Sequence, residues 1–343
     1  MSVEPLVSAV LVVVHRARAV GACLDSLARQ DEPRWEALVV LNGATPEAEA
    51  EVFRRARSDA RVRPVQIAAT TASRARNIGL KEARAHLLYF LDDDVELPPG
   101  GIAAVARIFA SDPGIAIAGG PNLTPPDDPP FAHITGELLA SRLGTGIARP
   151  RYRSLAAHDA KERDLTLCNL AVRRALFRGN FAFPVLFGGE ENVLMGHASH
   201  AGHRLWYSPE LWVHHRRRVT VPSFLAQMHR YGFGRGLAIH SAPGTFHAAY
   251  FLPVLLVGYL AMLPFLSYLG PASFAPLGVY CGLVLLTTAA IAIRAERHAH
   301  ALLLLPPLFF SAHVAYAFGL LRGLVHGARY GVRGRRADAP RVG

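Results

Sequence analysis

Three consecutive aspartates, Asp92, Asp93 and Asp94, are the residues of this sequence that are best placed to do chemistry. They follow the apolar run HLLYFL at 86–91, which has the composition of a buried strand. Adjacent carboxylates repel one another, so the cluster is costly unless a cation offsets its charge. Carboxylate oxygens suit Mg²⁺ or Mn²⁺, and Mg²⁺ takes further ligands from water and substrate phosphates. The alternative interpretation is an acidic, solvated turn.

A second acidic pair, Glu190 and Glu191, follows two glycines in the segment FGGEENVLMGH. The pair opens a predicted helix over 190–201, and the helix dipole favours carboxylates at that end. Helix capping alone therefore explains the pair without any function. The functional interpretation is a general base that takes a proton from an acceptor hydroxyl.

The segments around these acidic clusters alternate between strands and helices. Apolar runs predict strands at 7–14, 36–41, 62–67, 86–91 and 115–118, and helical spacing predicts helices at 18–30, 46–57, 72–85 and 98–110. Order returns later at 165–172, with a helix at 190–201 and short strands at 204–207 and 211–214. This order predicts an α/β fold with a doubly wound, mostly parallel sheet covered by helices on both faces. Open sheets of this kind bind ligands at the carboxyl ends of their strands, where the three aspartates lie.

Residues 121–164 interrupt the alternation of strands and helices. Five prolines between 121 and 130 mark a loop, and residues 144–163 are polar and basic. Long irregular segments inside a domain are often substrate loops or lids, so we expect a loop of that kind here. A disordered surface insertion is the alternative.

The distribution of charge predicts that the last third of the chain lies in a membrane. The 343 residues carry a formal charge of +11, yet no Asp, Glu, Lys or Arg occurs at 236–293 or at 301–321. About 20 apolar residues in a helix cross a bilayer. We therefore expect membrane segments at about 246–268, 274–293 and 301–321, which excludes a soluble cytosolic enzyme. The third segment contains Pro306 and Pro307, and we expect it to be broken and re-entrant or interfacial, with three full crossings as the alternative.

The remaining composition indicates the compartment. Cys23, Cys168 and Cys281 are far apart, which excludes a cysteine zinc site and a disulfide scaffold and fits a reducing compartment. The arginine-rich tail after the last apolar segment favours the cytoplasmic side and contact with anionic lipid head groups. Nucleic-acid binding is the less favoured interpretation of that tail.

Four segments, in this order along the chain, resemble the inverting glycosyltransferases of family 2, which have a GT-A fold. They are AVLVVVHRARAVGACLDSLARQ, ASRARNIGLKEARAHLLYFLDDDVELPPG, TLCNLAVRRALF and FGGEENVLMGHASHAGHRLWYSPELWVHH. The resemblance covers most of residues 6–235. It implies a nucleotide-diphosphate-sugar donor, most often a UDP-sugar, and a divalent metal, Mg²⁺ or Mn²⁺.

The resemblance also implies roles for individual residues. Glu191 stands at the position of the base, with Glu190 beside it, and Asp94 and Asp92 match the metal-binding pair, with His214 or His215 near the metal. The implied nucleotide-sugar contacts are Val14, His15, Asn42, Arg76, Asp92 and Asp93, and Asn169 falls in the acceptor-side segment. Four residues depart from the family pattern: Leu41 and Asn42 stand in place of an acidic pair, His15 stands where the family often has Asn, and Glu191 stands where it usually has Asp.

The junction before the membrane segments carries a further pattern. In SFLAQMHRYGFGRG at 223–236, the residues Gln227, Arg230 and Tyr231 resemble the QxxRW motif of membrane polysaccharide synthases, with Tyr in place of Trp. The resemblance implies contact with an acceptor or with pyrophosphate. The alternative is an amphipathic interfacial helix that buries Phe224 and Met228 in the head-group zone while its arginines reach for water.

The sequence thus predicts a catalytic domain at 1–215, a junction at 216–240, a transmembrane region at 241–325 and a basic tail at 326–343. We expect transfer of a sugar, with inversion, to a hydroxyl of a lipid-linked acceptor at the cytoplasmic face of a bacterial inner membrane. The enzyme is similar to those that build exopolysaccharide or glycolipid. A processive polysaccharide synthase and a non-catalytic scaffold are the alternatives.

Overall fold

The computed structural model of the chain describes residues 4–177, 182–186, 188–242, 244–295 and 298–330. The chain divides into two compact units. The first unit comprises Met1–Pro126 and Pro150–Arg216, and the second comprises Asp127–Arg149 and Arg217–Gly343. The segment Asp127–Arg149, which the sequence placed inside the catalytic domain, thus belongs with the second unit. Part of the predicted basic tail, from residue 331 onward, lies outside the described residues.

The strands of the first unit follow the predicted alternation closely. They are β1 (Val7–Val13), β2 (Trp35–Asn42), β3 (Val62–Ile67), β4 (Leu87–Leu91), β5 (Val95–Glu96), β6 (Ile115–Gly119), β7 (Asn122–Leu123), β8 (His158–Asp159), β9 (Asn169–Arg173), β10 (Arg204–Tyr207) and β11 (Val213–His215). Its helices are α1 (Ala17–Ala28), α2 (Pro46–Ser58), α3 (Ala72–Glu82), α4 (Gly101–Ser111) and α7 (Glu190–His200). The very short strands β5, β7 and β8 were not predicted.

Eight strands form one mixed sheet in the order β3-β2-β1-β4-β9-β6-β10-β8. Strands β1 to β4 are parallel to one another, whereas β9 is antiparallel to both β4 and β6. The chain builds outward from β1 to β2 and β3, and then crosses back to place β4 on the other side of β1. The direction of winding therefore changes between β1 and β4, which is where open sheets form a ligand crevice. Strands β5, β11 and β7 form a separate small sheet.

A buried polar network joins β1, β2 and β3 within the large sheet. The Glu36 carboxylate accepts hydrogen bonds from the Ser8 hydroxyl at 2.6 Å and from the Arg84 backbone N–H at 2.7 Å. It also pairs with the Arg63 guanidinium at 2.5 Å. Burial acts to raise the pKa of Glu36, but these hydrogen bonds outweigh it and hold the pKa below its usual value.

The second unit contains helices α5 (Pro130–Ala140) and α6 (Arg142–Thr145), followed by α8 (Val221–Ser241), α9 (Leu252–Leu266), α10 (Ala275–Ala295) and α11 (His298–Tyr330). Within the described part of the chain, three stretches are long and apolar enough to cross a membrane: Ala248–Leu269, Pro271–Arg294 and Leu303–Arg329. The predicted break at Pro306 and Pro307 is wrong, because both prolines lie inside α11. Proline is tolerated in apolar helices where neighbouring groups satisfy the freed backbone carbonyls.

The expectation of a loop throughout 121–164 is also wrong, because α5 and α6 lie within it. Pro130 occupies the first turn of α5, where its missing N–H costs nothing. In the second unit, the His313 ring of α11 lies 2.9 Å from the Leu143 carbonyl oxygen and 2.9 Å from the Tyr280 hydroxyl of α10. The prolines therefore mark the point where α5 begins. Contacts with α10 and α11 hold the segment that contains α5 and α6 in place.

Helices α8 and α11 approach each other through glycines. A Cβ placed on Gly319 would lie 2.1 Å from the His229 carbonyl oxygen, and one on Gly232 would lie 2.2 Å from the Tyr316 carbonyl oxygen. Such separations require direct backbone contact, as in membrane helices that pack through small residues. Phe224 and Met228 are buried inside the protein, and Arg235 is only 5% exposed. This packing differs from the interfacial alternative, in which these side chains reach the head groups and water.

Replacing Gly319 with valine should destabilise the second unit by about 1–3 kcal/mol or more, because the new side chain meets backbone that cannot move aside. Gly258→Val in α9 is the matched control, since a Cβ there meets nothing within 4 Å among the described residues. Thermal unfolding of the detergent-purified protein measures both. Equal melting temperatures for the two variants would contradict the close packing.

Candidate functional site

The site lies at the carboxyl ends of β1 and β4, where the winding of the sheet changes direction. Asp92, Asp93 and Asp94 follow β4 directly, and His15 and Arg16 follow β1. Strand β11 pairs antiparallel with β5, placing His215 opposite Val95 and therefore beside the aspartates. His215 Nε2 lies 3.1 Å from Asp94 Oδ1.

Asp92, Asp94 and His215 form what we call the cation cluster. One ligand atom from each of the three lies within 4.8 Å of the other two. Two carboxylates and one imidazole are a donor set that suits a divalent cation such as Mn²⁺. The residues therefore fit the metal that the sequence predicted. Of the two predicted histidines, His215 joins the cluster, whereas the neighbouring His214 ring packs against Trp212 at 5.0 Å.

Arg76 of α3 connects the cation cluster to the second acidic pair. Its guanidinium lies 2.8 Å from the Glu190 carboxylate and 3.5 Å from the Asp92 carboxylate. Glu190 and Glu191 open α7, as predicted from the double glycine before them. Gly189 adopts a left-handed conformation at φ 76°, which favours glycine. This turn begins α7 and places the Glu190 carboxylate beside Arg76.

Among the residues that the structure describes, Glu191 is supported by its neighbour Asn192. The Asn192 side-chain amide lies 3.4 Å from the Glu191 carboxylate. Arg151 donates a 2.7 Å hydrogen bond to the Asn192 side chain and also bonds the backbone carbonyls of Glu162 and Arg163. Arg151 therefore fixes the start of α7 to the 162–163 loop. The sequence identified the basic 144–163 stretch but not this bond.

Arg16 is the residue of the site that sequence reasoning missed. Its guanidinium lies 3.1 Å from the Asp93 carboxylate and also bonds the Asp94 carboxylate. Its position in the sequence could have suggested this role, because it lies in the connection after the first strand, at the same sheet edge as the aspartates. It supplies positive charge to an acidic turn that would otherwise be strongly repulsive.

Burial and neighbouring charge shift several pKa values in the site. Burial raises the pKa of Asp93 to about 7, although the Arg16 guanidinium opposes the shift. Burial and the charge of Glu191 raise the pKa of Glu190, against the effect of Arg76. Burial acts to lower the pKa of His215, but Asp94 outweighs it and raises that pKa well above its usual value. The acidic turn thus holds more protons than isolated aspartates would.

The sequence profile of the family described as glycosyl transferase family 2 matches residues 8–179, which is half of the chain and includes most of β1, all of β4 and the three aspartates. The chain belongs to glycosyltransferase family 2. A curated relative, the uncharacterized glycosyltransferase EpsJ of Bacillus subtilis (strain 168), is 35% identical over 91 residues. That match covers 26% of this chain and 26% of the relative, so it spans about a quarter of either protein.

One solved structure agrees with the family at the level of the fold. The chain is similar to a mannosyltransferase, PcManGT from Pyrobaculum calidifontis, solved in complex with GDP-Man and Mn²⁺. The TM-score is 0.64 at 18% identity, over 94% of this chain and 88% of the other. The family 2 chain therefore has the predicted GT-A-like mixed α/β fold, followed by apolar helices that could span a membrane. Another similar structure is S. aureus TarS 1-349 in complex with UDP, with a TM-score of 0.44 at 16% identity, over 95% and 91% of the two chains.

The family resemblance placed two asparagines near the substrate, but their side chains form hydrogen bonds with other groups of the protein. The Asn42 amide donates to the Thr70 carbonyl oxygen at 3.0 Å and accepts from the Thr70 N–H at 2.8 Å. Asn169 is fully buried, accepts a 2.6 Å hydrogen bond from the Tyr89 hydroxyl and donates to the Leu211 carbonyl oxygen. Both arrangements favour a role in holding the loops that surround the family 2 site.

The other predicted residues lie in two places. Val14 and His15 are exposed at the end of β1, and the Val14 carbonyl oxygen accepts a 2.7 Å bond from the Thr45 N–H. Gln227, Arg230 and Tyr231 lie in α8 of the second unit, with Gln227 half-buried and the other two exposed. Their contact with acceptor or pyrophosphate stays a prediction.

The shifted pKa values predict how two neutralising variants respond to pH. Asp93 has a folded pKa raised to about 7, so its own contribution to stability falls as pH rises from about 4 to 7. Asp93→Asn removes this loss. Measured by thermal unfolding with EDTA, its gain over wild type should grow between pH 5 and pH 7, reach about 2–4 kcal/mol and then level off.

Glu36→Gln is the matched control for that pH series. The pKa of Glu36 is lowered, so its stabilising effect is complete above about pH 4.5 and is lost only on further acidification. Its destabilisation, about 1–3 kcal/mol, should therefore be constant from pH 5 to pH 8. A pH-independent effect of Asp93→Asn over the same range would contradict the assigned shift.

Proposed function

We propose that this protein transfers a sugar from a nucleotide-diphosphate-sugar donor to a hydroxyl group, with inversion at the sugar carbon. The observation that carries the proposal is one continuous arrangement at the sheet edge. The cation cluster lies at one end, Glu190 and Glu191 lie at the other, and Arg76 contacts both. A leaving diphosphate needs positive charge, and an attacking hydroxyl needs a group that accepts its proton. The cation cluster with Arg76 can supply the first, and a glutamate at the start of α7 can supply the second.

On the donor side, Asp92, Asp94 and His215 are the residues that would hold a divalent metal, Mn²⁺ or Mg²⁺. When bound, the metal neutralises negative charge that develops on the diphosphate leaving group. Arg76 adds a fixed positive charge to the same region. The similarity to a mannosyltransferase bound to GDP-Man and Mn²⁺ supports a nucleotide donor and a metal. UDP-sugars and GDP-mannose are both candidates, because Leu41-Asn42 replace the acidic pair that the family resemblance implies.

On the acceptor side, Glu191 is the proposed general base. Glu190 is committed to Arg76, whereas Glu191 is half-buried beside Asn192. Glu191 takes the proton as the acceptor oxygen forms its bond to the sugar carbon. The bond from that carbon to the diphosphate oxygen breaks on the opposite face, and the electron pair leaves with the nucleoside diphosphate. In-line displacement of this kind inverts the configuration of the carbon.

The second unit supports a membrane acceptor. Three helices long enough to cross a bilayer follow the catalytic residues in one chain. An acceptor linked to a polyprenyl or another lipid would then be confined to the same surface as the enzyme, which lowers the entropy lost on binding. We propose the cytoplasmic face of a bacterial inner membrane as the location, and exopolysaccharide or glycolipid synthesis as the purpose. Gln227, Arg230 and Tyr231 are the proposed contacts for the acceptor or its pyrophosphate.

The direct test is sugar transfer by protein purified in detergent. UDP-, GDP- and dTDP-sugars are supplied with Mn²⁺ or Mg²⁺ and a bacterial lipid extract, and labelled lipid and released nucleotide are measured. We expect Asp94→Ala to lose metal-dependent donor binding. Glu191→Gln should bind donor normally but transfer at least about 100-fold more slowly, because the proton acceptor is gone. Glu47→Gln, an exposed change on α2, is the control and should match wild type.

Glu190→Gln separates the two glutamates. If Glu190 positions Arg76, its variant should weaken donor binding along with the rate, whereas a slow Glu190→Gln with normal donor binding would make Glu190 the base instead. Repeated addition of sugars to one acceptor would indicate the processive alternative. Failure of every donor to bind under all metal conditions would overturn the proposal and favour a non-catalytic scaffold.

A further inference from the structure

Arg16 contacts a carboxylate of the cation cluster. Its Nη1 atom bonds the Asp94 carboxylate and lies 3.1 Å from the Asp93 carboxylate. Asp94 is also the carboxylate that His215 contacts, and it belongs to the three-residue set that fits a divalent cation. The protein's own positive charge and a metal ion would therefore share one ligand.

We propose that Arg16 neutralises the aspartates when no metal is bound and transfers its contact to the diphosphate of the donor when metal and donor bind together. The inference rests on the proposed function, because it assigns Arg16 to the same nucleotide-sugar site. Arg16 would then make the metal and the donor bind cooperatively. Metal alone must displace the guanidinium, whereas a metal that arrives with a diphosphate supplies that guanidinium with a new partner.

The charges in the site favour such an exchange. A divalent cation on Asp94 would place two positive charges beside the guanidinium, and like charges a few ångströms apart repel strongly where water is limited. Asp93 and Asp94 side chains are only 11% and 9% exposed, so solvent screens them poorly. A diphosphate carries several negative charges, and guanidinium groups bind phosphate with paired hydrogen bonds.

The location of Arg16 allows the movement. It lies between the end of β1 and the first residue of α1, and its side chain makes no capping bond to that helix. Its side chain is 31% exposed, more than those of the aspartates it contacts, so part of the side chain faces the solvent from which a ligand arrives. A long side chain anchored at the sheet edge can change partners without any change in the strands.

A purely structural role for Arg16 makes the opposite prediction for metal affinity. If the ion pair only shapes the acidic turn, its removal should loosen the cation cluster and weaken metal binding. If Arg16 competes with the metal, its removal should strengthen metal binding. The two roles are thus separated by the sign of one measurable change.

The experiment measures Mn²⁺ binding to the full-length protein in detergent, by the electron paramagnetic resonance signal of free Mn²⁺. Wild type, Arg16→Gln and Arg16→Lys are compared in the absence and presence of GDP or UDP. Arg18→Gln is the matched control, because Arg18 is an exposed arginine in the first turn of α1, the helix that Arg16 precedes. Thermal unfolding with EDTA establishes that each variant is folded.

We expect Arg16→Gln to bind Mn²⁺ about tenfold more tightly than wild type without nucleotide, since a competing positive charge has been removed. The increase in Mn²⁺ affinity that GDP or UDP produces in wild type should shrink by about the same factor. Arg16→Lys should retain most of the coupling, and Arg18→Gln should behave as wild type.

Unchanged or weaker Mn²⁺ binding by a folded Arg16→Gln would overturn the inference, as would an undiminished effect of nucleotide. Absence of Mn²⁺ binding in both wild type and Arg16→Gln would also overturn it. The proposed function is judged separately, by sugar transfer and by the Glu191→Gln variant. A protein that transfers sugar while Arg16→Gln leaves metal affinity unchanged loses this inference alone.

Discussion

Repulsion among Asp92, Asp93 and Asp94 is the constraint around which the first unit is organised. Three carboxylates follow one buried strand, and burial raises the pKa of Asp93 to about 7. Three side chains from separate parts of the first unit offset the negative charge of these carboxylates. Arg16 comes from the end of β1, Arg76 from α3, and His215 from the small sheet. A group of charges that is costly in isolation becomes a place where a cation and a polyanion can both be bound.

The fold explains why these groups meet. Because the winding changes direction between β1 and β4, the residues after both strands share one crevice. The antiparallel pairing of β5 with β11 then places His215 there from the far end of the unit. Arg76 extends the same charge network to Glu190 at the start of α7. Membership of family 2 and similarity to a GT-A mannosyltransferase agree with this construction.

Most of the sheet and the acidic clusters could be predicted from the sequence, because buried parallel strands are continuous apolar runs with clear ends. The parts that could not be predicted depend on contacts between distant residues. The prolines of the α5–α6 segment give it the composition of a loop, whereas its helices are held by α11, with α10 also contacting α6. The continuity of α11 could not be predicted for the same reason, because it is the packing of neighbouring elements that lets a helix contain Pro306 and Pro307. Backbone contact at Gly232 and Gly319 is likewise a property of two helices together.

The site shows the same division between local and distant information. The sequence patterns and the family resemblance pointed to Asp92, Asp94, Glu190 and either His214 or His215, but not to the contacts of Arg16. They could not reveal that Asn42 and Asn169 bond the protein itself. The central claim is that Asp92, Asp94 and His215 hold the metal that serves the donor. Anomalous X-ray scattering from crystals grown with Mn²⁺ and a nucleoside diphosphate tests it most directly. We expect a manganese peak bounded by these three side chains and the diphosphate. A bound nucleotide with no manganese peak between the side chains would show that they do not hold the metal.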